Sequence, residues 1–250
     1  MCYTDDASPP IPPSNGGGVA SSGDLTLTAA DGNEMMAYSA RAAKPTGTGM
    51  VILPDVRGLH QFYKDLADRF AEIGVDAVAY DYFGRTAGHG SRGEEFVYRP
   101  HVDQTTPEGV AADTAAAIEF LRSAEGGGVE RVFTVGFCFG GGQSWAQSAA
   151  QPGLAGAIGF YGVPARIAQF IPHMQAPLLV LVAGEDFTPT VEFEKFSGQL
   201  DEAGVAHEMY VYDGAPHSFF DRTFREHEAA CADAWERILG FIGQPVMAKA

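Results

Sequence analysis

Basic residues are scarce in this chain of 250 residues. Lysine and arginine together number 16, whereas aspartate and glutamate number 32, so the formal net charge at pH 7 is −16. Such an acidic surface repels the phosphate backbone of nucleic acids and the head groups of anionic lipids. The composition therefore argues against a nucleic acid or a membrane surface as a partner, and the surplus of acid is interpreted as a source of solubility.

Cysteine is also rare. Cys2, Cys138 and Cys231 are an odd number, and none stands in a C-x-x-C pair or at Cys/His ligand spacing. A disulfide framework needs paired cysteines and a structural zinc site needs four closely spaced ligands, so neither is expected. The free thiols indicate a reducing cytoplasm, and no metal or cofactor is predicted.

Targeting and membrane-spanning signals are missing as well. Residues 1–18 carry no basic stretch followed by an apolar one, so a signal peptide is not expected. Residues 132–165 contain no charged side chain, but glutamines, a proline and repeated glycines interrupt this run too often for a transmembrane helix. Residues 1–20, rich in proline and glycine, are interpreted as a flexible N-terminal segment, and residues 21–250 as a single domain.

Apolar runs and amphipathic stretches alternate along that domain. Two short runs joined by Ala-Asp-Gly-Asn predict an antiparallel hairpin, over residues 24–28 and 35–41. Mainly apolar runs, typical of strands buried on both faces, occupy residues 50–54, 76–80, 131–136, 154–161 and 177–183. Apolar residues at helical spacing occur between these runs and again over residues 224–242. This alternation predicts an α/β fold with a mainly parallel central sheet covered by helices on both faces.

The stretch Gly136-Phe137-Cys138-Phe139-Gly140 lies between a predicted strand and a predicted helix. Its G-x-C-x-G spacing is that of a nucleophile elbow, a sharp turn that needs glycine where neighbouring backbone leaves no room for a Cβ atom. The turn exposes Cys138 above the sheet at a helix N-terminus, where the helix dipole favours a thiolate. A small buried cysteine with a purely structural role is the alternative interpretation.

Two later residues complete a catalytic pattern. Asp186 and His217 each follow a predicted strand, and the chain order nucleophile, acid, histidine is that of α/β-hydrolases. In such a triad Cys138 attacks an acyl carbon, His217 accepts and returns the proton, and Asp186 orients the imidazole. The sequence therefore predicts an acyl-transfer enzyme.

These segments resemble the dienelactone hydrolase family of the α/β-hydrolase fold, in which a cysteine replaces the usual serine. The similarity runs from about Met50 to Phe220 and is carried by the elbow, by Gly184–Asp186, by His217–Phe219 and by Phe160–Gly162. It implies a cofactor-free enzyme that hydrolyses the enol-lactone ring of a dienelactone, in the breakdown of chlorinated aromatic compounds. The expected partner is a small-molecule substrate, a carboxylate-bearing lactone or ester.

The resemblance also implies substrate-binding residues. Asp81–Arg85 is similar to the segment whose arginine binds the substrate carboxylate, so Arg85 is expected to do so here. The family has a second such arginine four residues after the histidine; this chain has Asp221 there, and Arg222 is the nearest candidate. Tyr161 is expected in the pocket wall.

One position departs from the family beside the thiol. Where the family places a glutamate that contacts the resting thiol, this chain has Asp55, which is one methylene shorter. Either Asp55 holds Cys138 protonated until an anionic substrate displaces it, or it caps local backbone N–H groups or pairs with Arg57. The oxyanion hole is expected to consist of the backbone N–H groups of Phe139 and Val56.

Other interpretations remain open at this point. A broader carboxylesterase or thioesterase would use the same triad, and a thiol sensor or ligand receptor would use the same fold without turnover. A sensor needs only a reactive thiol, so the complete triad favours the enzyme. Residues 86–106, which include His89 and His101, are interpreted as a surface loop or a cap near the pocket.

Overall fold

A computed structural model describes residues 7–11, 18–221 and 223–243. Within these ranges eight strands form one sheet in the order β1-β2-β4-β3-β5-β6-β7-β8. The strands are β1 (Val19–Thr28), β2 (Glu34–Ala42), β3 (Thr48–Leu53), β4 (Val75–Tyr80), β5 (Arg131–Phe137), β6 (Gly156–Phe160), β7 (Leu178–Glu185) and β8 (His207–Pro216).

The predicted hairpin is present at one edge of the sheet. β1 pairs with β2 in antiparallel register and β2 pairs with β4 in the same way, whereas β4, β3 and β5 to β8 are all parallel. The sheet is therefore mainly parallel, as predicted. β1 begins at Val19, inside the segment that was expected to be flexible, because Val19 pairs with Ala42 and extends the ladder.

Helices cover both faces of the sheet. They are α1 (Gln61–Glu72), α2 (Gly84–Ala87), α3 (Arg99–Val102), α4 (Pro107–Arg122), α5 (Phe139–Ala150), α6 (Thr190–Glu202) and α7 (Glu228–Gly243). One core cluster joins the sheet to α1 and α7, and a second joins it to α4, α5 and α6. No helix in the described ranges has both the length and the apolar composition needed to cross a bilayer.

Two helix boundaries differ from the expectation. α7 begins at Glu228, and the residues before it, Phe224–Glu226, form a 3-10 turn. Phe224 still packs against the same core as α7, so its apolar side chain extends the helical spacing without belonging to the helix. Residues 86–106, interpreted as a loop or cap, contain the end of α2 and the whole of α3.

The parallel strands deliver six chain segments to one edge of the sheet. The strands β3 to β8 all point the same way, so the loops that follow them start side by side. In open α/β sheets, ligands bind at this carboxyl edge. The predicted nucleophile, acid and histidine follow β5, β7 and β8.

Candidate active site

Cys138 forms the turn between β5 and α5. Its backbone has φ 55° and ψ −113°, a conformation that residues other than glycine rarely adopt. The turn is held by backbone hydrogen bonds, since the Cys138 N–H donates to Phe160 O at 3.1 Å and the Gly141 N–H donates to Cys138 O at 3.1 Å. The predicted sharp turn is therefore present, with Cys138 at the N-terminus of α5.

The two glycines of the motif are required by close backbone contacts. A Cβ atom on Gly136 would lie 1.9 Å from Gly140 O, and one on Gly140 would lie 2.2 Å from the carbonyl oxygens of Leu53 and Pro54. Real Cβ atoms do not lie so close to a carbonyl oxygen, so a side chain at either glycine would force the backbone to move. The elbow is therefore packed directly onto the end of β3, which brings the following loop beside Cys138.

Asp186 and His217 are in direct contact. His217 Nδ1 lies 2.7 Å from Asp186 Oδ2, and the Asp186 side chain is 1% exposed. With the Nδ1–H donated to Asp186, Nε2 is the imidazole nitrogen that is left to exchange a proton in the predicted triad. Asp186 Oδ1 is buried and accepts no hydrogen bond within the described part of the chain, so the imidazole is the principal neighbour of this carboxylate.

Two aromatic rings flank the imidazole. The ring of Tyr161 lies 4.8 Å from the His217 ring between centroids, and that of Phe187 lies 4.6 Å from it. Tyr161 is buried, with φ 37°, and its hydroxyl donates to Asp221 Oδ2 at 2.9 Å. Tyr161 thus packs against the histidine from the protein interior, and Asp221, at the position where the resemblance implied an arginine, is bonded to Tyr161.

A cavity of about 410 Å³ brings these groups together. Cys138, Phe139 and His217 line it together with Val56, so the residues predicted for the oxyanion hole border the same space as the predicted nucleophile. A cavity of about 610 Å³ lies between β1, β2 and the start of α1, but none of the three predicted triad residues lines it. This second cavity is the larger of the two, whereas Cys138 and His217 line the smaller one.

Asp55 is fully buried in the loop after β3. Its Oδ1 accepts the N–H of Arg57 at 2.9 Å, and its own N–H donates to Tyr63 Oη at 3.0 Å. Tyr82 Oη also donates to the carbonyl oxygens of Pro54 and Asp55. These bonds hold the loop that carries Val56. The bond from the Arg57 N–H to Asp55 is a backbone cap of the kind predicted as the alternative to contact with the thiol. Asp55 is not among the residues that line the cavity.

The structure places Arg85 away from this cavity. Its guanidinium contacts two carboxylates of the same chain, Asp31 at 2.6 Å and Asp113 at 2.8 Å. Hydrogen bonds from Arg85 lower the pKa of Asp31, whereas burial raises the pKa of Asp113. α2 directs this side chain towards the β1–β2 turn and α4, so the structure does not bring Arg85 to the cavity in which it was expected to bind the substrate carboxylate. Arg222 lies outside the described residues.

Two other arginines line the cavity. Arg166 follows β6, and Arg99 lies at the start of α3. Arg99 contacts Asp103 at 3.3 Å on the exposed face of α3, whereas Arg166 forms no ion pair with any residue that the structure describes. Sequence reasoning missed Arg166, although its place after a parallel strand was a usable signal. Within the described ranges, no three His, Cys, Asp or Glu side chains are arranged to hold a metal ion.

The segment before α3 is fixed by a buried ion pair. Arg92 contacts Asp81 Oδ2 at 2.6 Å with both side chains buried, and its guanidinium lies 4.6 Å from the ring centroid of Phe96. Tyr98 and Arg99, which follow in the chain, line the cavity. The segment interpreted as a loop or cap thus supplies part of the cavity wall.

Most of the chain is similar to known proteins. The model of the dienelactone hydrolase family matches residues 35–246. A relative from Salmonella typhi and one from Escherichia coli K12, both named "Putative carboxymethylenebutenolidase", are each 26% identical to this chain, over 239 and 233 residues. The first match covers 90% of this chain and 88% of the relative, and the second covers 88% and 86%.

Solved structures show the same fold. A crystal structure named "Putative Dienelactone Hydrolase" from Klebsiella pneumoniae has a TM-score of 0.77 and 26% identity, and covers 90% of this chain and 99% of its own. The dienelactone hydrolase-like promiscuous phosphotriesterase P91, from metagenomic libraries, has a TM-score of 0.74 at 19% identity, over 89% of this chain and 98% of its own. At that identity the second likeness concerns the fold alone.

Proposed function

Because the chain belongs to the dienelactone hydrolase family, we propose that it hydrolyses a carboxylic ester or lactone through a covalent acyl intermediate on Cys138. One observation carries the proposal. His217, which contacts Asp186 at 2.7 Å, lines the same cavity as Cys138, whose backbone conformation is strained. A strained nucleophile beside an oriented imidazole is the arrangement that acyl transfer needs. A receptor or thiol sensor has no need of it.

The chemistry follows from these positions. Nε2 of His217 takes the proton of the Cys138 thiol as the sulfur attacks the carbonyl carbon, and the carbonyl electron pair moves onto oxygen, which the N–H groups of Phe139 and Val56 are suited to bind. Collapse breaks the bond to the leaving oxygen, which takes that proton from Nε2 of His217. Water then gives a proton to Nε2 and attacks the thioester. The carbon–sulfur bond breaks, the acid is released, and the proton on Nε2 passes to the sulfur and restores the thiol. Asp186 stabilises the imidazolium that forms in both halves.

The arginines in the cavity indicate the substrate class. Arg166 has no ion-pair partner within the described residues, whereas Arg85 contacts two carboxylates of its own chain. A guanidinium forms strong, often bidentate bonds with a carboxylate. We therefore assign recognition of a substrate carboxylate to Arg166, assisted by Arg99, and the substrate to carboxylate-bearing lactones or esters such as a dienelactone.

Acylation and turnover can be measured separately. A p-nitrophenyl ester should give a burst of nitrophenol followed by steady release, and mass spectrometry of a quenched sample should place the acyl group on Cys138. The Cys138→Ala variant should show neither phase, and Cys231→Ala should retain both. Stoichiometric acylation without turnover would replace the proposal with a receptor or sensor function, and turnover by Cys138→Ala would remove the nucleophile assignment.

A further inference from the structure

Phe187 is a large apolar side chain in an unusual place. It follows Asp186 directly, lines the cavity beside Cys138, and is 69% exposed. Of the large apolar side chains that the structure describes, Val97, which precedes the cavity residue Tyr98, is similarly exposed at 70%. Exposed apolar surface at the mouth of a cavity marks a place where a ligand is bound.

The position of Phe187 relative to His217 shows which part of a substrate it meets. The two rings lie 4.6 Å apart between centroids, at an interplanar angle of 40°. During acylation the imidazole must reach the leaving oxygen within hydrogen-bond distance, so the alcohol portion of the ester lies next to the imidazole. Tyr161 packs against that ring from the protein interior, whereas Phe187 is exposed and lines the cavity, so Phe187 is placed to contact the leaving group.

We propose that Phe187 forms a leaving-group subsite that selects esters or lactones whose alcohol or enol portion is flat and apolar. This inference rests on the proposed function and adds the substrate's second recognition element. Arg166 binds the carboxylate of the acyl portion, and Phe187 contacts the group that departs. Phe187 is therefore a specificity-determining residue of the hydrolase.

The competing explanation is that Phe187 only shields the imidazole. The His217 side chain is 19% exposed, and Phe187 covers part of it. Loss of such a shield would impair every step that uses the imidazole, by the same factor for every substrate. A substrate contact affects instead the step in which the leaving group is present, and it affects large apolar leaving groups most.

Two esters of one acid separate these explanations. Monobenzyl succinate and monoethyl succinate share their acyl portion and carboxylate, and both release an alcohol of low acidity. In wild type, kcat/KM should favour the benzyl ester, and Phe187→Ala should lower that preference about 10-fold, because stacking and burial of one ring are lost. Phe187→Leu should keep part of the preference. Val191→Ala, a truncation of a 47% exposed residue outside the cavity, serves as the control and should keep it all.

Deacylation supplies the second readout. Both esters form the same succinyl-enzyme, from which the alcohol has already departed, so Phe187→Ala should leave the deacylation rate unchanged. Equal losses for the two esters, together with slower deacylation, would overturn the inference and assign Phe187 to shielding. A preference for the benzyl ester that survives in Phe187→Ala would overturn it as well.

A binding measurement separates failure of this inference from failure of the proposed function. If wild type acylates with neither ester, the proposed function fails. The dissociation constants of the two intact esters can then be measured with Cys138→Ala and with Cys138→Ala/Phe187→Ala. A benzyl preference that disappears with Phe187→Ala still supports the apolar subsite, and equal affinities in both proteins overturn it.

Discussion

Cys138 and Cys231 differ in their surroundings. Cys138 is partly exposed at the N-terminus of α5, beside the cavity that His217 lines. Cys231 is buried in α7, its Sγ donates to Phe219 O at 3.3 Å, and burial raises the pKa of its thiol to about 12. Because the thiolate is the reactive form, the two thiols should differ strongly in reactivity.

Iodoacetamide should modify Cys138 and spare Cys231 in the folded protein at pH 8. At that pH a thiol with a pKa of about 12 is ionised to roughly one part in ten thousand. Peptide mapping by mass spectrometry gives the modification at each position, and loss of hydrolysis should follow modification of Cys138. Denaturation should make Cys231 reactive as well. Full modification of Cys138 with activity retained would contradict its assignment as nucleophile.

Arg166→Ala should reduce selectivity for anionic substrates. A charge-assisted bond to an exposed guanidinium supports about a 2- to 5-fold effect on kcat/KM. The measurement compares monoethyl succinate with the uncharged ethyl butanoate, and the ratio of their kcat/KM values should fall in this variant. Arg85→Ala is the matched control, because its guanidinium is bonded to Asp31 and Asp113. A ratio that falls in Arg85→Ala and is constant in Arg166→Ala would reverse the two assignments.

The contrast between Cys138 and Arg85 shows what single residues disclose before a structure is known. The elbow is a local motif, so its glycine spacing predicts both the turn and the placement of Cys138. The partner of Arg85 depends on where the β1–β2 turn and α4 lie, and neither is near it in sequence. A local motif therefore predicts the placement of Cys138 better than a single residue type predicts the partners of Arg85.

Among the elements, the segment between α2 and α4 depends on one buried ion pair. Arg92 is 3% exposed and Asp81 is 0% exposed at the side chain, and burial raises the pKa of Asp81 while Arg92 opposes this effect. Breaking a buried pair leaves an uncompensated charge, which costs about 3–5 kcal/mol. The same segment carries Tyr98 and Arg99, so its stability affects the cavity wall.

Arg92→Ala should destabilise the protein in a pH-dependent way. Without Arg92 the pKa of Asp81 rises further in the folded state, so the variant loses stability as the pH rises through that pKa. The deficit in the free energy of unfolding should therefore be largest where Asp81 is ionised in the folded protein and shrink on acidification, as Asp81 becomes neutral. Urea unfolding at several pH values measures it, with Arg99→Ala as an exposed control. A deficit that grows on acidification would contradict this role.

The elbow tolerates no side chain at its glycines. Gly140→Ala would set a methyl group 2.2 Å from two backbone oxygens at the end of β3, so β3 and α5 must separate. We expect a loss of stability of about 1–3 kcal/mol and loss of hydrolysis. Gly198→Ala in α6 is the matched control, since nothing lies within 4 Å of its added Cβ and alanine favours helix. Thermal unfolding and kcat/KM test both, and an active, stable Gly140→Ala would exclude the close contact.

Element prediction was accurate where periodicity is local and long. The buried strands and α1 follow from their apolar spacing, and the parallel sheet follows from their alternation with helices. The short α2 and α3 have no such spacing, because each is a single turn without a buried residue. The start of α7 was misplaced because Phe224 packs against the same core as α7 but lies in the 3-10 turn before the helix.

At the scale of the whole molecule, two opposite charge effects act on an anionic substrate. The net charge of −16 repels it at long range, while Arg166 and Arg99 attract it within the cavity. Salt screens interactions beyond the Debye length, which is about 30 Å at 0.01 M and about 8 Å at 0.15 M. The distant carboxylates should therefore lose influence first, and contact with the arginines should persist.

We expect the ratio of kcat/KM for monoethyl succinate to that for ethyl butanoate to rise by a few-fold when the ionic strength is raised from 0.01 M to about 0.15 M. The reason is that salt weakens the long-range repulsion more than the contact with Arg166. Using the ratio removes effects of salt on stability and on the chemical steps. Arg166→Ala should show the same rise from a lower starting value, since it removes the local attraction and retains the repulsion. A ratio that falls with salt in wild type and is flat in Arg166→Ala would mean that the two arginines dominate the field at the cavity mouth.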